Sequence, residues 1–116
     1  MSALSLDTRH DGARTVLALA GDLDLATVTA LREAAIAELD ADHCRELVLD
    51  LAGLDFLDST GLGCWIDLRN EAADRGKSLR LERMPAIAGR TVTLAGLAEL
   101  FGVATIGHPA GETSAT

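Results

Sequence analysis

Residues 45–51 constrain the fold more than any other segment, because apolar side chains follow one another there at Leu47, Val48 and Leu49. A strand that is apolar at consecutive positions is covered on both faces, which is typical of the centre of a parallel or mixed sheet. Helical periodicity precedes this strand at about residues 27–39 and follows it at about residues 59–74. These three segments predict an α/β fold.

Strand patterns elsewhere extend this framework. Residues 4–8 and 14–20 predict a hairpin around an Asp-Gly turn, and residues 78–82 predict a fourth strand. A weaker helical segment follows Pro85, and residues 103–106 are a candidate for a last short strand. The predicted order is therefore β-β-α-β-α-β-α, with Asp24 or Thr27 as the cap of the first helix.

The length and composition predict one domain. The chain has 116 residues, of which 48% are hydrophobic, enough for a core. Residues 1–108 form the predicted domain, and the small, polar residues 109–116 a flexible C-terminal tail. A formal net charge of −8 argues against nucleic acid and anionic membrane as partners. Residues 1–10 show no signal-peptide pattern, so we expect a cytoplasmic protein with Cys44 and Cys64 as thiols.

The segment Asp-Ser-Thr-Gly-Leu-Gly at residues 58–63 lies where the central strand gives way to the second helix. Asp58 or Ser59 can act there as an ordinary N-cap. Glycine costs about 1 kcal/mol against alanine in a helix, so Gly61 and Gly63 are unusual choices for stability alone. They would leave room for another molecule to approach Ser59, whose position at a helix N-terminus suits a phosphate.

Enzymatic alternatives are weaker. The segment resembles the G-x-S-x-G turn of serine hydrolases, but Leu57 replaces the first glycine. None of His10, His43 and His108 follows a predicted strand end near Ser59, and His43 and His108 are expected to stand alone at the surface. We therefore predict that the chain is not an enzyme.

Four carboxylates, Asp22, Asp24, Asp55 and Asp58, are an alternative Mg²⁺ site of the receiver type. Lys77 is the one lysine and lies in a turn, so the basic partner of an aspartyl phosphate is missing. Solvated loop-end carboxylates are favoured, and neither a metal nor a cofactor is expected. Nucleotide binding is a third alternative, although the chain has no Gly-rich loop of known phosphate-binding spacing.

Three segments, in order, resemble the STAS-domain anti-sigma factor antagonists. The most specific is Phe-Leu-Asp-Ser-Thr-Gly-Leu-Gly at residues 56–63, which resembles the signature of that family. Gly-Asp-Leu-Asp at residues 21–24 and Ala-Gly-Leu at residues 95–97 agree in place. The resemblance covers about residues 4–106. Asp67 departs from it, standing where small or apolar residues are common, and residues 85–97 are about one residue longer than usual.

The resemblance implies a small mixed β-sheet with helices packed on one side, and a function in partner switching. The unmodified protein would bind an anti-sigma factor serine kinase and free a sigma factor. Phosphorylation of Ser59, with Thr60 as a secondary acceptor, would release it, and a PP2C-type phosphatase would reverse this step. The alternative is a STAS scaffold that is never phosphorylated. The implied partner-binding residues are Asp22, Asp24, Asp58, Ser59, Thr60, Gly61, Leu62 and Gly63.

Overall fold

The structure, a computed structural model, describes residues 2–97 and 101. These residues form seven elements in the predicted order β-β-α-β-α-β-α. The predicted strand at residues 103–106 and the predicted tail at residues 109–116 lie outside the described part. The elements are β1 (Leu4–Asp11), β2 (Arg14–Leu23), α1 (Val28–Leu39), β3 (Glu46–Leu57), α2 (Ser59–Asp74), β4 (Ser78–Glu82) and α3 (Ala86–Leu94).

The strands form a mixed sheet in the order β1-β2-β3-β4, which confirms the predicted fold class. The hairpin strands β1 and β2 are antiparallel, whereas β3 runs parallel to both β2 and β4. The two parallel connections pass through α1 and α2, as parallel strands require a crossover. The loop after β2 and the loop after β3 therefore lie at the same end of the sheet.

One apolar cluster joins the sheet to all three helices. On the opposite face of the sheet, Val16 and Val48 pair with each other outside this cluster, flanked in register by Arg9 and Arg80. The helices thus pack on one side of the sheet, as predicted, and none of those described is long and apolar enough to cross a bilayer. The cluster includes Leu17, Leu19, Leu47, Leu49 and Leu51 of the sheet and Leu31, Ala35, Trp65, Leu68, Ala88 and Val92 of the helices.

The central strand is longer than predicted. It continues beyond Leu51 as far as Leu57 because β2 pairs with it along its whole length. Two irregularities in this pairing each place an extra residue on β3. Such bulges break the two-residue alternation of a strand, so that Leu54 and Leu57 are buried while Phe56 is 44% exposed.

Candidate functional site

The junction between β3 and α2 is built around Asp58. This residue has an extended backbone (φ −116°, ψ −175°) and is the N-cap of α2. Its Oδ1 atom accepts hydrogen bonds from the backbone N–H groups of Thr60 (2.9 Å) and Gly61 (3.1 Å). Of the two predicted caps, Asp58 is therefore the actual one, and Ser59 is the first residue of the helix.

Ser59 is exposed to solvent. In the described part of the chain, its hydroxyl forms no hydrogen bond with another residue. The helix N-terminus around it is less open than the sequence suggested, because the Asp58 carboxylate already occupies two of its N–H groups. A phosphate on Ser59 would therefore lie beside the Asp58 carboxylate and would find two of the helix N–H groups already bound.

The two glycines of the motif have different surroundings. A Cβ atom on Gly61 would lie 2.7 Å from Leu57 Cδ1 and 2.9 Å from Leu23 Cγ, so this glycine lets α2 approach the sheet closely. Leu62 beside it is 5% exposed and belongs to the core. A Cβ on Gly63 would meet no atom within 4 Å. We therefore assign Gly61 and Leu62 to the core and retain only Gly63 as an accessible position.

A pair of alanine substitutions tests this difference. We expect Gly61→Ala to lower the free energy of unfolding by about 1–2 kcal/mol, because strain from overpacking exceeds the gain in helix propensity. Gly63→Ala should raise it by up to about 1 kcal/mol, because the new methyl group enters open space in a helix. Urea unfolding of both variants measures the two changes. Equal effects of the same sign would contradict the assignment.

The loop between β2 and α1 lies beside this junction. Thr27 occupies the N-cap position of α1, but neither predicted cap uses its side chain to bind the helix. The Thr27 hydroxyl donates to the Asp22 carbonyl (2.8 Å), and Asp24 Oδ1 accepts from the Ala26 N–H (2.9 Å). These bonds brace the loop itself. The hydroxyl of Ser2 also donates to Asp24, and this contact, with the backbone bonds, holds the pKa of the Asp24 carboxyl below its usual value.

Together the two loops form a shallow depression of about 490 Å³. It brings together two of the predicted partner-binding residues, Asp24 and Asp58, with Ala26 and two exposed apolar side chains. Leu25 is 76% exposed and Phe56 is 44% exposed. The sequence analysis assigned neither to the partner surface. The available signal was Leu25, a large apolar residue in the short loop between β2 and α1.

A second groove, of about 370 Å³, lies between α1 and α2, and Thr60 and Gly63 line part of it. Arg32 of α1 bridges this groove, at 3.6 Å from Asp67 and 3.4 Å from Glu71. Asp67, which departs from the family pattern, thus takes part in an ion pair between the two helices. Thr60 lines the groove, so its side chain is partly accessible.

Within residues 2–97, the other charged candidates do not join Asp24 and Asp58. Asp22 and Asp55 do not line the depression that holds Asp24 and Asp58. Lys77 Nζ donates to the carbonyls of Leu39 (2.6 Å) and Ala41 (2.9 Å), and so is committed to the end of α1.

Both cysteines are buried. Burial raises the pKa of the Cys64 thiol to about 11, which leaves it protonated and unreactive at neutral pH. Cys44 is 0% exposed, although its neighbours in the sequence are polar.

Comparison with known proteins agrees with this geometry. The family model described as "Mlab, STAS domain" matches residues 6–104. The anti-sigma-F factor antagonist RsfB of Mycobacterium tuberculosis is 33% identical over 101 residues, which cover 87% of this chain and 80% of RsfB.

Two solved structures share the fold. An anti-sigma factor antagonist from Mycobacterium paratuberculosis superposes with a TM-score of 0.71 at 24% identity, covering 87% of this chain and 85% of that one. The Bacillus cell fate determinant SpoIIAA in its phosphorylated form superposes with a TM-score of 0.65 at 20% identity, covering 90% and 93%. The chain belongs to the STAS-domain anti-sigma factor antagonist family.

Proposed function

We propose that this protein is a cytoplasmic anti-sigma factor antagonist that acts by partner switching and not by catalysis. Unmodified, it binds an anti-sigma factor that is also a serine kinase. Phosphorylation of Ser59 releases the partner, and a PP2C-type phosphatase restores binding. The observation that carries the proposal is the exposed Ser59 at the start of α2, next to an exposed apolar depression with acidic edges.

Accessibility supports Ser59 as the acceptor. A kinase must bring the acceptor hydroxyl to its nucleotide, which an exposed side chain at a helix end permits. The first turn of α2 is fixed by the Asp58 cap, so the hydroxyl is presented on a rigid backbone. A relative of the same fold, SpoIIAA, has been solved in a phosphorylated form.

The surface around Ser59 supports protein binding. We define the partner face as the depression of Leu25 and Phe56 together with the predicted residues that remain accessible. Exposed apolar side chains surrounded by polar ones are typical of protein–protein interfaces. The apolar side chains at its centre favour a partner with a complementary apolar pocket. The accessible predicted residues are Asp22, Asp24, Asp58, Ser59, Thr60 and Gly63.

Mapping of the phosphorylated residue tests the proposal. The purified chain is incubated with the cognate anti-sigma factor and ATP, and the products are analysed by tandem mass spectrometry. We expect one phosphate, on Ser59, absent from Ser59→Ala and retained in Thr60→Ala. Phosphate found on other residues alone would remove Ser59 as the switch.

A scaffold that is never phosphorylated is the second candidate. It is favoured by the Asp58 cap, because the N–H groups that could stabilise a phosphate on Ser59 already bind a carboxylate. Under this alternative, Ser59→Asp leaves complexes with partner proteins intact. Under the partner-switching proposal, the same substitution weakens the complex with the anti-sigma factor.

A further inference from the structure

We propose that His10, Glu38 and His43 form a binding site for Zn²⁺ or a neighbouring first-row transition-metal dication. These residues come from the end of β1, the last turn of α1 and the loop that follows α1. The prediction that His43 stands alone is wrong, because its ring centroid lies 5.0 Å from that of His10 in an edge-to-face contact. The fold therefore brings His10 close to Glu38 and His43, from which it lies far apart in the sequence.

The distances fit metal coordination. His10 Nε2 lies 3.1 Å from Glu38 Oε1, and one ligand atom from each of the three residues lies within 4.8 Å of the others. Ligands of a tetrahedral Zn²⁺ with bonds near 2.0–2.1 Å are about 3.3 Å apart. Side-chain rotations that move the ligand atoms by about an ångström bring them to this spacing. The His10–Glu38 hydrogen bond and the edge-to-face contact of the two rings keep the three potential ligand atoms within reach of one ion.

The donor set selects the class of metal. Two imidazoles and one carboxylate suit Zn²⁺, Co²⁺, Ni²⁺ and Cu²⁺, whereas Mg²⁺ and Ca²⁺ prefer oxygen ligands throughout. Three protein ligands leave a fourth position for water. The side chains are accessible to an incoming ion: His10 is 54% exposed and Glu38 22% exposed. The net charge of −8 further favours a cation.

The backbone that carries the ligands is held in place. His10 pairs with Thr15 in the β1–β2 ladder. The turn that carries His43 is fixed by the bond from Cys44 N to Ala41 O (3.1 Å), and by Lys77, which binds the Ala41 carbonyl. A metal ion would therefore bind a nearly preformed site and tie β1 to the end of α1. Preorganisation of this kind lowers the cost of binding.

The site lies at the end of the sheet opposite Ser59. His43 precedes the start of β3 at Glu46, whereas Ser59 follows the end of β3 at Leu57. Metal binding is thus independent of the proposed partner switching, and each inference can fail without the other. Its expected effect is on stability rather than on the partner complex.

Calorimetric titration of the untagged protein with ZnCl₂ tests the site. We expect one Zn²⁺ per chain and no binding of Mg²⁺. His10→Gln, Glu38→Gln and His43→Gln should each weaken Zn²⁺ binding at least about tenfold, since loss of even an outer-shell partner costs 10–100-fold. Glu33→Gln, an exposed glutamate on the same helix, is the matched control and should change affinity less than about twofold.

Two further measurements distinguish this site from unspecific binding. At about ten times Kd, Zn²⁺ should raise Tm by about 5 °C, reversibly with a chelator and not in His43→Gln. The Co²⁺ complex should lack thiolate charge-transfer bands, because both cysteines are buried. The site would be overturned by a failure of Zn²⁺ to bind, by unchanged affinity in all three variants, or by a thiolate band.

Discussion

Phosphorylation of Ser59 is expected to weaken the complex with the anti-sigma factor by about a hundredfold or more. The phosphate adds about −1.5 to −2 charges at pH 7. The phosphate lies on the partner face, next to Leu25, Phe56 and the Asp58 carboxylate, and the bound anti-sigma factor would bury it there. Removing an ion from water without a dedicated partner costs several kcal/mol, and each 1.4 kcal/mol is a factor of ten in Kd.

The structure of the junction indicates why the phosphate receives little compensation within this chain. The N–H groups of Thr60 and Gly61 already donate to Asp58, and the groove beyond them is bridged by Arg32, which is paired with Asp67 and Glu71. The added charge therefore depends on solvent for its stabilisation. Docking of the partner removes that solvent.

Calorimetry with the purified anti-sigma factor measures the effect. The phosphorylated chain is compared with the unmodified chain, with Ser59→Ala and with Ser59→Asp. Ser59→Ala should bind within about threefold of the unmodified chain, because a lost exposed hydroxyl costs little. Ser59→Asp should bind less tightly than Ser59→Ala, but more tightly than the phosphorylated chain, since it adds less charge and bulk. Equal or tighter binding after phosphorylation would refute the switch.

Periodicity in the sequence predicted most of the fold. The bounds of α2 and β4 agree with the predicted segments at residues 59–74 and 78–82. Both are regular elements with clear ends: Asp58 caps the start of α2, and Gly76 follows its end with a φ of 69°. Local chemistry fixes such boundaries, so the sequence alone reveals them.

Periodicity failed in the second half of β3. Burial there falls on Leu54 and Leu57, three residues apart, because two bulges interrupt the alternation. This spacing is typical neither of a strand nor of a full helix, so the pattern predicts a strand only as far as residue 51. Pairing with β2 determines the conformation instead. Contacts of that kind cannot be read from a local pattern.

Part of the candidate site could likewise be predicted from the sequence, and part could not. Asp58 and Ser59 follow from a motif of adjacent residues, and their position at the helix start could be predicted. The apolar neighbours Leu25 and Phe56 are far apart in the sequence and meet only because the loops after β2 and β3 lie at one end of the sheet. The packing role of Gly61 is equally nonlocal, because Leu23 fills the space a side chain would need.

Leu25→Ala is expected to weaken anti-sigma factor binding by about thirtyfold, the loss typical of an apolar anchor worth about 2 kcal/mol. Leu25 is 76% exposed, so its truncation should leave the free energy of unfolding within about 0.5 kcal/mol. The loss of binding would therefore come from the interface alone. Calorimetry with the anti-sigma factor and urea unfolding of the free variant measure the two quantities.

The matched control for this prediction is Leu94→Ala. Leu94 is 85% exposed but lies on α3, away from the depression that Leu25 and Phe56 line. The Leu94→Ala substitution removes the same side-chain atoms as Leu25→Ala. A general loss of exposed apolar area would therefore affect both variants alike. We expect Leu94→Ala to bind within about twofold of the unmodified chain. If Leu25→Ala also binds that tightly, the partner face lies elsewhere on the molecule, because an exposed leucine at the centre of a docking surface cannot be lost without weakening the complex.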